Sequence, residues 1–166
     1  IQENRKIAEA RWQFALEGSN QGVWDWDVPS GKVFYSKIWK AMLGYAEDEI
    51  SDSLEEWSKR AHPDDLTTAY AALERHFQGE TPYYLHIHRV KKRDGHYIWI
   101  LDRGMVMSRD ANGQPLRMIG THSDVTEMKQ TQDALLEKQR FLADSQAIAH
   151  IGSWMMALDS DHILWS

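Results

Sequence analysis

Gly22-Val23-Trp24 is followed, thirteen residues after its glycine, by Tyr35-Ser36, and Gly152-Ser153-Trp154 is followed at the same distance by Trp165-Ser166. Both halves of the pattern recur at one offset of 130 residues (22 to 152, 35 to 165). A period this long fits tandem copies of one domain, not a solenoid of short units. The second copy breaks off after its opening and the first residue is Ile1, as expected of a piece of a longer protein. The 166 residues then hold one domain with attachments.

Charge and composition narrow the function classes. A net charge of −6 argues against a phosphate-backbone partner. The basic cluster Lys91-Lys92-Arg93 runs into Asp94-Gly95 and reads as a solvated hairpin end. No apolar run approaches the ~20 residues that cross a bilayer, so no membrane contact is expected of this segment. With 0 cysteines there is no thiolate site and no cysteine nucleophile. The 8 tryptophans promise a core of large aromatic area, with indole N–H groups that need partners when buried.

Residues 1–17 read as a linker helix, with Ile7, Ala10 and Phe14 on one face. Val23 to Asp27 alternates, and Pro29-Ser30-Gly31 turns it into a second strand over Lys32 to Tyr35. Short helical pieces carry Trp39 and Trp57. His62-Pro63-Asp64-Asp65 opens a longer helix, with proline in the first turn and acids at the positive end of the dipole. Its predicted apolar stripe is Leu66, Tyr70, Leu73 and Phe77. Three strand-type runs follow, Tyr83 to Val90, Tyr97 to Met107 and Leu116 to Val125, the first two joined by Asp94-Gly95. The pattern predicts an α+β domain over 18–125, an antiparallel sheet with helices on one face. Residues 126–149 read as a second linker helix in which Met128, Leu135, Leu142 and Ala149 recur every seventh residue, a weak coiled-coil seam. Residues 150–166 read as the opening of the second copy.

From about Arg11 to Lys129 the chain resembles the PAS domain with its C-terminal PAC segment, of the subtype common in bacterial sensor proteins. The resemblance rests on the order and spacing of Gly22 to Asp27, Tyr35-Ser36 with Trp39, Met42 to Tyr45, His62 to Asp65, Arg89, Asp94-Gly95 with Tyr97 and Trp99, Arg103-Gly104, Asp110 with Gly113, Gly120, and Asp124 to Glu127. It implies a five-stranded antiparallel sheet in the order 2-1-5-4-3, flanked by signalling helices. It also implies a sensory and dimerising role without catalysis, inside a cytoplasmic part of a histidine kinase or diguanylate cyclase. Asp124-Val125-Thr126 is where such domains pass a signal from last strand to linker helix. Partners expected on this basis are a second copy, paired through linker helices and sheet, and a downstream output domain. The alternative is a ligand-free interaction scaffold. One departure is Ile87, where the family often carries an acid two places before the arginine of the third strand.

Candidate sites follow from residue chemistry. Trp57, Tyr84, Arg89, Trp99, Arg103, Thr121 and His122 are candidates to line a ligand pocket, the arginines for a carboxylate. Haem-binding members of the family ligate iron through a histidine on the long helix, here His76. Haem, flavin, a small organic ligand or no cofactor at all are open; flavin photochemistry through a cysteine adduct is excluded. His86 and His88, two apart on a strand, point to one face. Imidazoles at that spacing suit zinc or copper, but a site needs three or four ligands. His122 would join only if its strand turned it toward them, and without spaced Cys/His clusters no metal centre is expected. No phosphate loop, nucleophile elbow or other catalytic constellation occurs, so the segment is not expected to be an enzyme.

Overall fold

The computed structural model describes residues 4, 5, 9, 11, 15, 16 and 18–163, without side chains over 157–163. The described residues before Ser19 are helical, in line with the predicted linker; Ile7, Ala10 and Phe14 lie outside them. Five strands follow: β1 (Gly22–Asp27), β2 (Lys32–Tyr35), β3 (Tyr84–Lys91), β4 (Tyr97–Arg109) and β5 (Pro115–Asp124). All neighbours pair antiparallel, in the order β2-β1-β5-β4-β3. The β3–β4 turn is made by Asp94-Gly95, where Gly95 adopts φ 91°, a conformation side chains resist.

Strand alternation sorts the side chains. Trp24, Trp26, Val33, Tyr35, Tyr84, Val90, Ile98, Ile100 and Met118 are buried on one face. Helices α1 (Lys37–Met42), α2 (Glu55–Ser58) and α3 (Pro63–Phe77) cover that face, bringing Trp39, Trp57, Ala69 and Leu73 into the same core. Helix α3 starts as the sequence predicts: His62 Nδ1 accepts from the Asp64 N–H and Pro63 takes the first position. Of the predicted Leu66/Tyr70/Leu73/Phe77 stripe, Leu73 is buried and Leu66 and Phe77 pack against the core, while Ala69 and His76 are buried beside them. Tyr70 is exposed and meets Trp57 edge-on.

Arg89 ties α3 to the edge strand. Its guanidinium donates to both Asp65 oxygens (2.8 and 2.9 Å), and its backbone N–H adds a third bond at 2.9 Å. Those hydrogen bonds hold the Asp65 carboxyl down at about 2 against an ordinary 3.8. An acid with a depressed folded-state pKa stabilises the fold above its unfolded pKa and loses that contribution as pH falls through the folded value. Asp65→Asn should therefore destabilise by about 1 kcal/mol at pH 7, as expected for a well-formed pair near the surface. Denaturation midpoints of variant and parent should converge between pH 4 and 2.

Helix α4 (Thr126–Ile163) forms a second unit from Glu127 onward. It runs unbroken through 150–163, where the repeat predicts an opening strand. In the first copy that strand is paired on both sides, by β2 and by β5. Residues 150–163 supply no such partners, and a helix satisfies their backbone groups locally. Trp165-Ser166 lies outside the described residues. Met128, Leu135 and Leu142 are all exposed along α4. No helix among the described residues is long and apolar enough to cross a membrane.

Candidate functional site

Strands β3, β4 and β5 bring His86, Asp102 and His122 into one cross-strand row, Asp102 being opposite His86 on one side and His122 on the other. His88 stands next to them on the same face. His88, Asp102 and His122 are 0%, 4% and 3% exposed. Buried polar groups at this depth need partners, and tryptophans supply most of them. The Trp24 indole N–H donates to Asp102 Oδ1 (2.9 Å), and His122 Nε2 lies 3.1 Å from Asp102 Oδ2. The Trp39 indole donates to His122 Nδ1 (2.9 Å) and the Trp57 indole to His88 Nε2 (3.0 Å).

These donors set the tautomers, because a neutral imidazole has one accepting and one donating nitrogen. His122 Nδ1 accepts, so Nε2–H donates to Asp102. His88 Nε2 accepts, so Nδ1–H points to His86 Nδ1 at 3.1 Å. His86 then donates through Nε2 to Thr68 Oγ1 (3.1 Å), whose own hydroxyl donates to the Asp65 carbonyl. One directed chain thus runs from Trp57 to α3, and another from Trp39 to Asp102. Burial pushes the His88 imidazole down to about 4, with His122 and His86 adding to the shift and Asp102 opposing it. Burial also lowers His86 and raises Tyr84, the latter further raised by the Asp102 charge.

A cavity of about 30 Å³ adjoins this network, lined by Trp24, Trp26, Tyr35, Trp57, Tyr84, Asp102 and His122 among others. It has room for one or two waters and is far smaller than a haem or flavin. On its wall the Trp26 indole N–H has no hydrogen-bond partner, and the Tyr84 hydroxyl interacts with Asp102 without a bond within 3.5 Å.

Of the predicted pocket residues, Trp57, Tyr84 and His122 come together here. Arg89, Trp99, Arg103 and Thr121 do not: the two-residue period turns them to the outer face of the sheet. Arg89 holds a carboxylate bidentately, but that of Asp65, and stacks at 5.2 Å over Trp99. Arg103 lies over Tyr83 at 4.9 Å. His76 is buried, and both ring nitrogens are engaged: Nε2 accepts from the Val106 N–H (3.0 Å), so Nδ1 donates to Thr81 O (2.9 Å). It bolts α3 to the irregular stretch of β4, with its lone pair given to the Val106 N–H. Asp102 was missed from the sequence; its parity with Ile98 and Ile100 is the signal that places it inside.

At the far end of β5 the junction with α4 is pinned. Thr126 Oγ1 accepts from the Trp99 N–H (3.0 Å) and donates to Asp124 Oδ1 (2.6 Å). Asp124 Oδ1 also takes the Thr126 N–H (3.0 Å), and the Val125 N–H donates to Trp99 O (2.8 Å). Asp124, Val125 and Thr126 are thus all bonded into the strand–helix step.

This strand order and covered face are shared with known proteins. A family model described as PAS fold matches residues 32–122, more than half the chain, and the chain belongs to that family. It is similar to a sensory box histidine kinase/response regulator from Burkholderia thailandensis, at 34% identity and TM-score 0.71 over 80% of this chain and 97% of that one. It is also similar to the N-terminal domain of a diguanylate cyclase with PAS/PAC sensor from Marinobacter aquaeolei, at 25% identity and TM-score 0.57 over 66% and 98%. Among curated proteins it is 27% identical to the two-component sensor PprA of Pseudomonas aeruginosa, over 83% of this chain and 15% of that protein. An uncharacterised Pseudomonas chlororaphis protein is 28% identical over 88% and 59%. The chain thus spans less than two thirds of either curated relative.

Proposed function

We propose that the domain is the sensory and dimerising module of a multidomain signal-transduction protein, passing a ligand, redox or partner signal from β5 into α4. The pinned junction carries this reading: one carboxylate and one hydroxyl link the Trp99 backbone, the end of β5 and the first residue of α4. A shift of β5 against β4 must reorganise those bonds, and packed elements move between discrete arrangements. The similar proteins named above include a sensory box histidine kinase/response regulator, a two-component sensor and a diguanylate cyclase, which agrees with an output domain of either kind.

Thr126→Ala removes the shared hydroxyl while leaving the core untouched. In the parent protein it is expected to cut the stimulus-dependent change in output at least fivefold, with melting of the isolated domain altered by only a few degrees. Asp124→Ala should act alike. An unchanged stimulus response in both variants would overturn the relay.

A second reading, a ligand-free scaffold, is favoured by the outer sheet face, where Phe34, Leu85 and Met107 are each more than half exposed. Patches of this kind mark contact surfaces. Sedimentation of Leu85→Glu beside the parent separates the two: loss of dimer with sensing intact leaves the sensory role standing, while loss of all output supports the scaffold.

A further inference from the structure

We propose that His88, Asp102 and His122 form a binding site for a borderline divalent transition-metal ion such as Zn²⁺, with Tyr84 beside its open side. The three come from three adjacent strands, all are buried, and one ligand atom from each lies within 4.8 Å of the others. A metal about 2.1 Å from each donor needs those atoms roughly 3–4 Å apart. His122 Nε2 and Asp102 Oδ2 already stand at 3.1 Å, and a rotation of His88 supplies the third. His86 Nδ1, 3.1 Å from His88 Nδ1, is placed to orient His88 or to add a fourth nitrogen. Two imidazoles with one carboxylate select borderline ions, whereas Mg²⁺ and Ca²⁺ want oxygen sets. The Tyr84 hydroxyl, on a residue 1% exposed, lines the cavity beside Asp102 and His122, where it can bond to a metal-held water.

Binding has a definite structural consequence. Each neutral imidazole has one lone pair, and here it is given to an indole N–H, Trp39 for His122 and Trp57 for His88. For His122 to offer Nε2 to a metal its proton must move to Nδ1, where it opposes the Trp39 N–H, and a His88 whose lone pair goes to the metal no longer accepts from Trp57, so loading releases both indoles. Trp39 belongs to α1 and Trp57 to α2, so loading loosens two tethers between helices and sheet. The site is therefore a metal-or-tether switch, independent of whether the relay to α4 holds.

The test uses tag-free protein, stripped with chelator and dialysed against Zn²⁺, with bound metal counted by elemental analysis. One equivalent is expected, together with a change in tryptophan emission as the two indoles lose their acceptors. Co²⁺ should give the intense visible bands of a four- or five-coordinate site. His122→Gln and His88→Gln should each weaken Zn²⁺ binding at least a hundredfold, and a variant lacking the exposed His96 and His150 should bind as the parent does. Should the core variants fail to fold, imidazole nitrogen resonances of His88 and His122 in the parent decide: large Zn²⁺-dependent shifts are expected. No stoichiometric Zn²⁺, unmoved resonances, or binding that vanishes with His96 and His150 would each overturn the site.

Discussion

Gly120→Ala is expected to destabilise the domain by about 3 kcal/mol or more, the upper end of the range for forcing extra volume into a packed core. The reason is a large ring on a bare backbone. Gly120 on β5 pairs with Gly104 on β4, and the Trp24 indole crosses both. A Cβ on Gly120 would overlap Trp24 Cζ2 and the Arg103 carbonyl; one on Gly104 would meet Trp24 Cη2 at 2.5 Å. The ring cannot slide away cheaply, because its N–H is held by Asp102. Nor can the backbone, because β5 is a central strand paired on both sides. Urea denaturation measures the loss directly. Repeating the substitution in a Trp24→Leu background should recover part of it, since the ring overlap goes and the carbonyl overlap stays. An equal cost in both backgrounds would show that the ring is not the obstacle.

That contact also marks the limit of what the sequence discloses. Each strand was legible from its own residues: Trp24 and Trp26 alternate with Asp25 and Asp27, and Asp94-Gly95 announces its turn. Helix α3 announced its start through His62-Pro63 for the same local reason. Strand order came from the resemblance, because period-two alternation says which residues share a face but not which strands are neighbours. The site depends on that neighbourhood. His86 and His88 could be placed on one face, yet their relation to His122 and Asp102 follows only from β4 lying between β3 and β5. Arg89 and Arg103 drew attention as carboxylate binders, and parity alone would have turned them outward. His76 stood outside the predicted apolar stripe because helical periodicity ranks side chains by hydropathy. Its burial depends on the opposing surface, where the Val106 N–H and the Thr81 carbonyl take its two ring nitrogens. Residues 150–166 read as the opening of a second copy, and the described part, 150–163, is helical for a related reason: an extended segment exists only with its partners.

Asp102→Asn, isosteric and uncharged, should still cost about 1–3 kcal/mol, the cost of a buried donor left without a partner. An amide offers one acceptor where the carboxylate offered two. If its oxygen faces the Trp24 N–H, its NH₂ faces His122 Nε2–H, donor against donor. Turning the amide moves the conflict to Trp24. His122 can change tautomer and accept from the amide, but its Nδ1–H then opposes the Trp39 indole. The mismatch can be shifted along the chain and not removed, and one buried donor stays unpaired at about 1–3 kcal/mol. Trp39→Phe takes away the last donor and frees His122 to change tautomer. In that background Asp102→Asn should therefore cost about 1–2 kcal/mol less than in the parent, a coupling typical of residues in one hydrogen-bond network. A double-mutant cycle by urea denaturation isolates this term, since the ring area lost with Trp39 cancels around the cycle. Strict additivity would mean that Trp39, His122 and Asp102 do not share one directed chain, and the tautomers assigned to the core would have to be reversed.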